Sequence, residues 1–281
     1  MLSLEKIITQ ALQEDVGDGD HTSLACIPET AQGSAVLKAK ESGVLAGVEV
    51  ARQVYAQVDP SLEFRKKMED GTRIKPGDVV FELKGSSRSI LTGERLALNF
   101  MQRMSGIATQ TRHLVDLLQG TQTKILDTRK TSPNLRLLEK MAVKIGGGNN
   151  HRFGLYDMMM IKDNHIDFAG GIQQAIDSAH DYLQKNQKKL AIEIEVRNFD
   201  ELSQVLDRGG VQRIMLDNFS PSDLKKAVDI IAGRYETEAS GGITEQTIRA
   251  YAETGVDYIS VGALTHQIRS IDLSLIAISE P

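Results

Sequence analysis

Tryptophan is absent from the 281 residues, and aromatic side chains make up only 5% of them. Little is left from which to build the stacking platforms that single-stranded nucleic acids require. A basic excess is missing as well. Lys and Arg number 33 against 38 Asp and Glu, a formal net charge of -5, so a long polyanion is not an expected partner. Cys26 is the only cysteine. It excludes an internal disulfide and a thiolate cluster within one chain, and is expected to be a buried, inert thiol. No stretch approaches 18 uncharged apolar residues, so no membrane span is expected. The opening residues, with Glu5 and Lys6 among them, lack the apolar core of a signal peptide. A reducing, cytoplasmic setting is the default expectation.

What is present falls into two stretches of different rhythm. Residues 3–14 carry Leu4, Ile7, Ile8 and Leu12 at helical spacing, and the Gly- and Asp-rich run 15–23 reads as a loop. From about 34 to 84, short alternating segments broken by Ser-Gly and Pro-Gly predict a small sheet with a helix at 47–57. A long helix is expected over 92–118, with Thr92 as its N-cap and a kink at Ser105-Gly106.

Beyond residue 120, strands alternate with helices. The strands are expected at 124–128, 157–163, 191–196, 213–218, 235–240 and 258–262, and the helices near 134–145, 171–184, 199–208, 221–232 and 244–254. This βα rhythm predicts a parallel sheet. Polar or small residues follow each apolar run, and Glu195, Asp217, Ser240 and Gly262 are spaced 22, 23 and 22 apart. Chemistry in such sheets gathers at the carboxyl ends of strands. Six units fall short of the eight in a closed barrel, so an incomplete barrel is expected, with a doubly wound open sheet as the alternative.

The chemistry-bearing runs sit at those strand ends. DTRKTSPNLR (127–136) crowds Asp127, Arg129, Lys130 and Arg136; alone it would read as a solvated charged face. At a strand end it reads as an anion pocket, because guanidinium forks match carboxylates and phosphates. KIGGGNNHRFG (144–154) places His151 and Arg152 behind three glycines, without the spacing of a dinucleotide fingerprint. In MMMIKDNHIDFAGG (158–171), Lys162 falls at a strand end, the methionines read as core filler, and His165 as a loop-orienting residue or a weak metal ligand. Glu193 and Glu195 share one face of a strand. Two buried carboxylates need cationic partners, and Lys162 or Mg²⁺ are the candidates, unless Glu193 only pairs within the core. Asp217 adds a third acid. Ser240, Gly241, Gly242 and the Val261-Gly262-Ala263 turn offer backbone N–H groups for a phosphate, the usual use of the last two loops of a barrel.

Taken together, EDVGDGDHTS, LTGERLALNFMQRMSGIATQT, DTRKTSPNLR, KIGGGNNHRFGL, IKDNH, EIEVRN, IMLDN, EASGGI and ISVGALTH resemble the quinolinate phosphoribosyltransferase family along nearly the whole chain. The resemblance implies an N-terminal α/β sandwich-like domain (1–115) and a C-terminal incomplete α/β barrel (116–266), with the tail (267–281) packing back on the first. It implies a homodimer or hexamer in which Arg95 is donated across the interface. By the same resemblance, Arg129, His151, Arg152 and Lys162 hold the quinolinate carboxylates, Thr128 is a further substrate-binding residue, and Lys130 lies near the pyrophosphate and substrate. Glu195 and Asp217 surround the ribose hydroxyls and Mg²⁺, directly or through water or substrate, while Ser240–Gly242, Val261–Ala263 and His266 hold the 5-phosphate. Lys130, Lys162, Glu195 and Asp217 are the catalytic candidates. Asn134 replaces a frequent family glycine, a substitution that a left-handed turn tolerates.

The implied reaction joins quinolinate to phosphoribosyl pyrophosphate with loss of CO₂ and pyrophosphate, giving nicotinate mononucleotide in NAD biosynthesis. Rival readings are a nicotinate phosphoribosyltransferase, a molybdenum-transport-associated relative of the same fold, or a non-catalytic anion-binding barrel. Carboxylates opposite a phosphate cup argue against the last, because anion binding gains nothing from them.

Overall fold

The structure, a computed structural model, describes residues 3–278. The first stretch holds α1 (Leu4–Val16), α2 (His21–Cys26), β1 (Gln32–Ala39), β2 (Gly43–Val44), α3 (Val48–Val58), β3 (Glu63–Lys66), β4 (Arg73–Ile74), β5 (Val79–Ser86) and α4 (Ser87–Leu117). There follow β6 (Lys124–Leu126), α5 (Arg136–Ile145), β7 (Met159–Ile161), α6 (Asp163–Ala169), α7 (Ile172–Lys185), β8 (Ile192–Val196) and α8 (Phe199–Arg208). The chain continues through β9 (Arg213–Asp217), α9 (Pro221–Ile231), β10 (Glu236–Ser240), α10 (Ile248–Ala252), β11 (Tyr258–Ser260), α11 (Ala263–His266) and β12 (Leu273–Ile278). They form two compact units. One comprises the residues up to Arg112 together with 130–147 and those from Ala263; the other comprises 113–129 and 148–262.

The first unit is built on an antiparallel sheet in the order β12-β1-β5-β3, beside a ribbon of β2 and β4. Apolar β1 sits inside the sheet, with Ala35, Val36 and Leu37 all buried. The tail strand β12 pairs with β1 from Ser34 opposite Ile278 to Ala39 opposite Leu273; residues 279–281 of the tail lie outside the described residues. Helix α3 packs on the sheet through Tyr55, whose ring lies 6.2 Å from Phe81 and 6.3 Å from Phe64. A side chain at Gly93 would meet that ring at 2.7 Å, which is why a glycine stands there.

Three expectations need correction in this unit. The run 15–23 is not all loop, because Asp20 accepts the Ser23 N–H at 3.0 Å and caps α2. Cys26 closes that short helix and is exposed rather than buried. Helix α4 begins at Ser87, directly after β5, so Thr92 is inside it and its hydroxyl donates back to the Arg88 carbonyl at 2.9 Å. The Ser105-Gly106 pair lies inside that one helix and serves close packing. Ser105 Oγ accepts the Ala46 N–H at 3.0 Å and donates to the Ala46 carbonyl at 3.2 Å, and a Cβ on Gly106 would stand 2.3 Å from the Arg269 carbonyl oxygen.

The second unit is a parallel sheet of six strands in the order β6-β11-β10-β9-β8-β7. From β7 to β11 each new strand is added on the same side, and β6 then pairs with β11. That is the winding of a barrel left open between β6 and β7. A doubly wound sheet would reverse direction at a switch point. All five residues of β8 are buried, as expected of a strand covered on both faces. Asn198 and Ser220 cap α8 and α9 through the N–H groups of Glu201 and Asp223. The short helix α6 was not anticipated. Nor was α11, in the first unit; each is too brief to show a helical apolar period. Asn134 adopts φ 64°, the left-handed turn anticipated for it.

Candidate active site

The floor of the open barrel is charged. Strand register sets Glu193 of β8 opposite Arg213 of β9, and Arg213 opposite Glu236 of β10; Glu195 and Glu238 both lie opposite Met215. Glu193 and Glu238 have no exposed side-chain surface. Between them sits the His151 ring, its Nε2 3.0 Å from Glu193 and 3.3 Å from Glu238. These are ion pairs by distance rather than aligned hydrogen bonds. Arg213 completes the cluster, 3.2 Å from Glu238 and 3.9 Å from Glu193, with its guanidinium over the Tyr258 ring at 4.3 Å. The backbone N–H of His151 donates to buried Asp127 at 2.8 Å, and Nδ1 accepts the Arg152 N–H at 2.7 Å. The ring is thus held from three sides, with Nε2 directed at the acids.

Burial alone would depress the His151 imidazole, but Glu193 and Glu238 outweigh it and raise the pKa to about 9. Burial and the charge of Glu238 push the Glu193 carboxyl up against the pull of His151 and Arg213. Burial also raises Glu238, yet the contacts with His151, Ser260 and Arg213 win and hold it down. Arg213 answers the two buried acids with a fixed charge, and the His151 ring, whose Nδ1 accepts the Arg152 N–H, turns its Nε2 toward them. Glu193 therefore does not pair with Lys162, as the sequence had suggested; its partners are in the barrel floor. His151, Glu193 and Glu238 also bring one ligand atom each within 4.8 Å of one another, a spacing able to hold a divalent cation. Arg213 already supplies the charge such an ion would bring, and Mg²⁺ prefers oxygen ligands with retained water.

Above the floor, the strand ends carry a second group. Lys162 Nζ donates to Glu195 at 3.2 Å. Burial raises the Glu195 carboxyl, opposed by Lys162 and reinforced by the charge of Asp217. Burial likewise raises Asp217, opposed by Lys162 and by hydrogen bonds from Asn218 and Ser240. Lys162, Glu195, Asp217 and Ser240 therefore converge. His165 orients this corner by accepting the Lys162 N–H on Nδ1 at 2.9 Å. Gly241 and Gly242 follow with φ of 95° and 62°, and a Cβ on Gly241 would stand 2.2 Å from Asn218 Oδ1. Only glycine suits that turn.

Arg129 and Arg152 form the third group. Burial, then the charge of Arg129, pull the Arg152 guanidinium down. A guanidinium that feels a neighbouring positive charge favours an anion beside it. Arg152 Nη1 also donates to the Met158 carbonyl at 3.3 Å. Thr128 lies beside Arg129 in the chain and is half-buried. Val261 is tied to β6 by its N–H to the Leu126 carbonyl at 3.0 Å, which leaves Gly262 at the end of β11.

The remaining anticipated residues belong to the first unit. Arg95 is exposed on α4, Lys130 is exposed in the loop before α5, and Ala263 and His266 bound α11. Glu238, Arg213 and Asp127 are floor residues whose part sequence reasoning did not assign. Glu238 could have been found from the same alternation that singled out Glu193, because Glu236 and Glu238 repeat it on β10. The cross-strand partnership with Arg213 depends on register, which carries no local signal.

An open parallel barrel with guanidiniums, a Lys-carboxylate group and a glycine cup at its strand ends defines an anion-handling barrel enzyme. Residues 20–105 match the N-terminal domain of quinolinate phosphoribosyl transferase and residues 107–276 its C-terminal domain. Quinolinate phosphoribosyltransferase (decarboxylating) 1 of Nicotiana glauca is 46% identical over 97% of this chain and 81% of its own. The probable nicotinate-nucleotide pyrophosphorylase (carboxylating) of Bacillus subtilis is 41% identical over 98% and 93%. The crystal structure of NadC from Streptococcus pyogenes superposes with a TM-score of 0.92 at 41% identity, covering 99% of both chains. The chain belongs to the quinolinate phosphoribosyltransferase family.

Proposed function

We propose that this protein transfers the phosphoribosyl group of 5-phosphoribosyl 1-pyrophosphate to quinolinate and releases CO₂, giving nicotinate mononucleotide and pyrophosphate for NAD biosynthesis. The observation that carries this reading is the match to both domains of the family, with Arg129 following β6 and Arg152 donating its N–H to His151 Nδ1 at 2.7 Å in the open barrel. A pyridine dicarboxylate supplies the two negative charges that these two arginines lack.

The chain's own groups suit each step. Arg129, Arg152 and Thr128 hold the substrate carboxylates and aim the ring nitrogen at ribose C1, while His151, both ring nitrogens engaged in the floor, anchors the Arg152 N–H. As the C1–O bond to pyrophosphate breaks and the N–C1 bond forms, positive charge grows on the sugar. Glu195 and Asp217, with Lys162 beside them, stabilise it. Lys130 accepts the charge growing on the departing pyrophosphate, and Ser240–Gly242, Val261–Ala263 and His266 anchor the 5-phosphate. The C2–CO₂ bond then breaks, its electron pair drawn toward the cationic ring nitrogen, and C2 takes up a proton. Positioning and electrostatics supply most of the acceleration.

Buried Glu195 and half-buried Asp217 offer carboxylate oxygens at the strand ends and are the residues that would hold Mg²⁺, which would supply further charge neutralisation to the leaving group. The open edge at β7 supports a homodimer or a hexamer. A largely apolar groove of about 400 Å³ runs along Met159, Met160, Ile161, Ala169, Ala175 and Ala179, and Phe168 nearby is 91% exposed. We place Arg95 as the residue donated across that interface. Mixing R95A with K162A, each inactive alone, is expected to restore part of the activity if the site is shared. For the reaction itself, nicotinate mononucleotide formation is followed with quinolinate and, separately, with nicotinate plus ATP. Preference for nicotinate would overturn the reading.

A further inference from the structure

Arg103 has no part in the chemistry above, yet it stands at the junction of four segments of the first unit. It projects from α4 with its side chain 31% exposed. Its Nε and Nη2 both donate to Glu139 Oε1, at 2.9 and 2.6 Å. Nη2 also donates to Ser132 Oγ at 2.9 Å and to the Thr265 carbonyl at 3.1 Å. Glu139, on α5, is 1% exposed, and its second oxygen accepts the Ser132 N–H at 3.2 Å. Thr265, fully buried, donates its hydroxyl to the Lys130 carbonyl at 2.7 Å.

Two features make this more than a helix-to-helix ion pair. A fork that reaches a side chain, a carboxylate and a backbone carbonyl at once uses the geometry peculiar to arginine, and a lysine cannot reproduce it. Further, the segments it joins are those that present Lys130 and His266. Lys130 is held by its own backbone carbonyl, and His266 directly follows the residue that holds it. The loop before α5 and the helix α11 therefore move as one piece, braced by a guanidinium and a carboxylate that touch neither substrate.

We infer that Arg103 and Glu139 are positioning residues that fix the spacing between Lys130 and His266, and with it the fit to the two phosphorylated ends of phosphoribosyl pyrophosphate. The inference rests on the proposed reaction, which assigns those two residues to pyrophosphate and 5-phosphate. Quinolinate contacts come from elsewhere, chiefly Arg129 and Arg152. A loosened brace should then weaken one substrate and spare the other.

The test compares the full-length wild type with R103K, with the double variant R103M/E139L, and with T265V. The double variant replaces the whole buried pair by apolar side chains, which avoids leaving a carboxylate stranded. T265V removes only the hydroxyl that holds Lys130 and keeps the side-chain shape. Dissociation constants for phosphoribosyl pyrophosphate and for quinolinate are measured separately by calorimetry, alongside KM for each substrate and a thermal melt. The expected result is a rise of tenfold or more for phosphoribosyl pyrophosphate in R103K and the double variant, and a smaller rise in T265V, with quinolinate within twofold of wild type. Equal weakening of both substrates, or no change in either, would overturn the inference. Should the Arg103 variants fail to fold, T265V decides: phosphoribosyl pyrophosphate binding unchanged within twofold counts against the brace. Wild-type turnover of quinolinate is the control that separates failure of the brace from failure of the proposed reaction.

Discussion

Replacing Arg213 by Met tests the reading of the barrel floor most sharply. The guanidinium lies 3.2 Å from Glu238 and 3.9 Å from Glu193, and neither acid has exposed side-chain surface. Met keeps much of the packing over the Tyr258 ring but removes the charge. Stranding a buried acid in this way costs about 3–5 kcal/mol. At roughly 2–4 °C per kcal/mol for chains approaching this size, the melting temperature should fall by something on the order of 10 °C. The loss should depend on pH in a definite sense. Glu193 is already raised, by burial first and then by Glu238, and Arg213 is one of the groups opposing that rise. Without Arg213, its folded pKa climbs further above the unfolded value near ~4.3. A raised acid costs stability at high pH, and the cost fades as pH falls through the folded pKa toward the unfolded one. The gap between variant and wild type should therefore be wider at pH 8.5 than at pH 5.5 in differential scanning calorimetry. A gap of under about 1 kcal/mol that does not change with pH would refute the charge balance described for this cluster.

Other substitutions probe the rim and the packing. R129A and R152A should each raise KM for quinolinate by about two orders of magnitude, the usual cost of losing a charge-assisted pair, while leaving the melt within a degree or two; normal kinetics for both would remove them from the substrate. E195Q and D217N should lower kcat by about 10²–10³ in steady-state assays, as expected when charge stabilisation of the transition state is lost, with quinolinate binding retained. G106A places a methyl 2.3 Å from the Arg269 carbonyl oxygen and should destabilise the protein by about 1–3 kcal/mol in urea unfolding. G241A forces a side chain into a turn with φ 95° and against Asn218, so it should weaken phosphoribosyl pyrophosphate binding more than quinolinate binding.

Much of the barrel is legible in the sequence. Its strands are short apolar runs closed by a polar or small residue, and the spacing of Glu195, Asp217, Ser240 and Gly262 gave the βα rhythm directly. Helices α8 and α9, capped by Asn198 and Ser220, fall where the ranges 199–208 and 221–232 were expected. The start of α4 was misread because β5 runs into it without a loop, so nothing marks the boundary. Cys26 was expected to be buried because composition alone speaks for cysteine burial; its place at the end of a six-residue helix decides otherwise. For Glu193, alternation identified the inward face but not the neighbour. Which strand lies beside β8, and in which register, is settled by the whole sheet. Hence Lys162 was a candidate for Glu193, whereas the structure gives it to Glu195 and gives Glu193 to His151 and Arg213. The Arg103 brace was invisible for the same reason, since Ser132, Glu139 and Thr265 meet only after folding.

The central claim is that quinolinate is the acceptor and loses its 2-carboxylate. Quinolinate labelled with ¹³C in that carboxylate, incubated with phosphoribosyl pyrophosphate, Mg²⁺ and the purified protein, tests it most directly. Labelled CO₂, nicotinate mononucleotide and pyrophosphate should appear in equal amounts. Label retained in a nucleotide product, or turnover of nicotinate but not of quinolinate, would contradict the account.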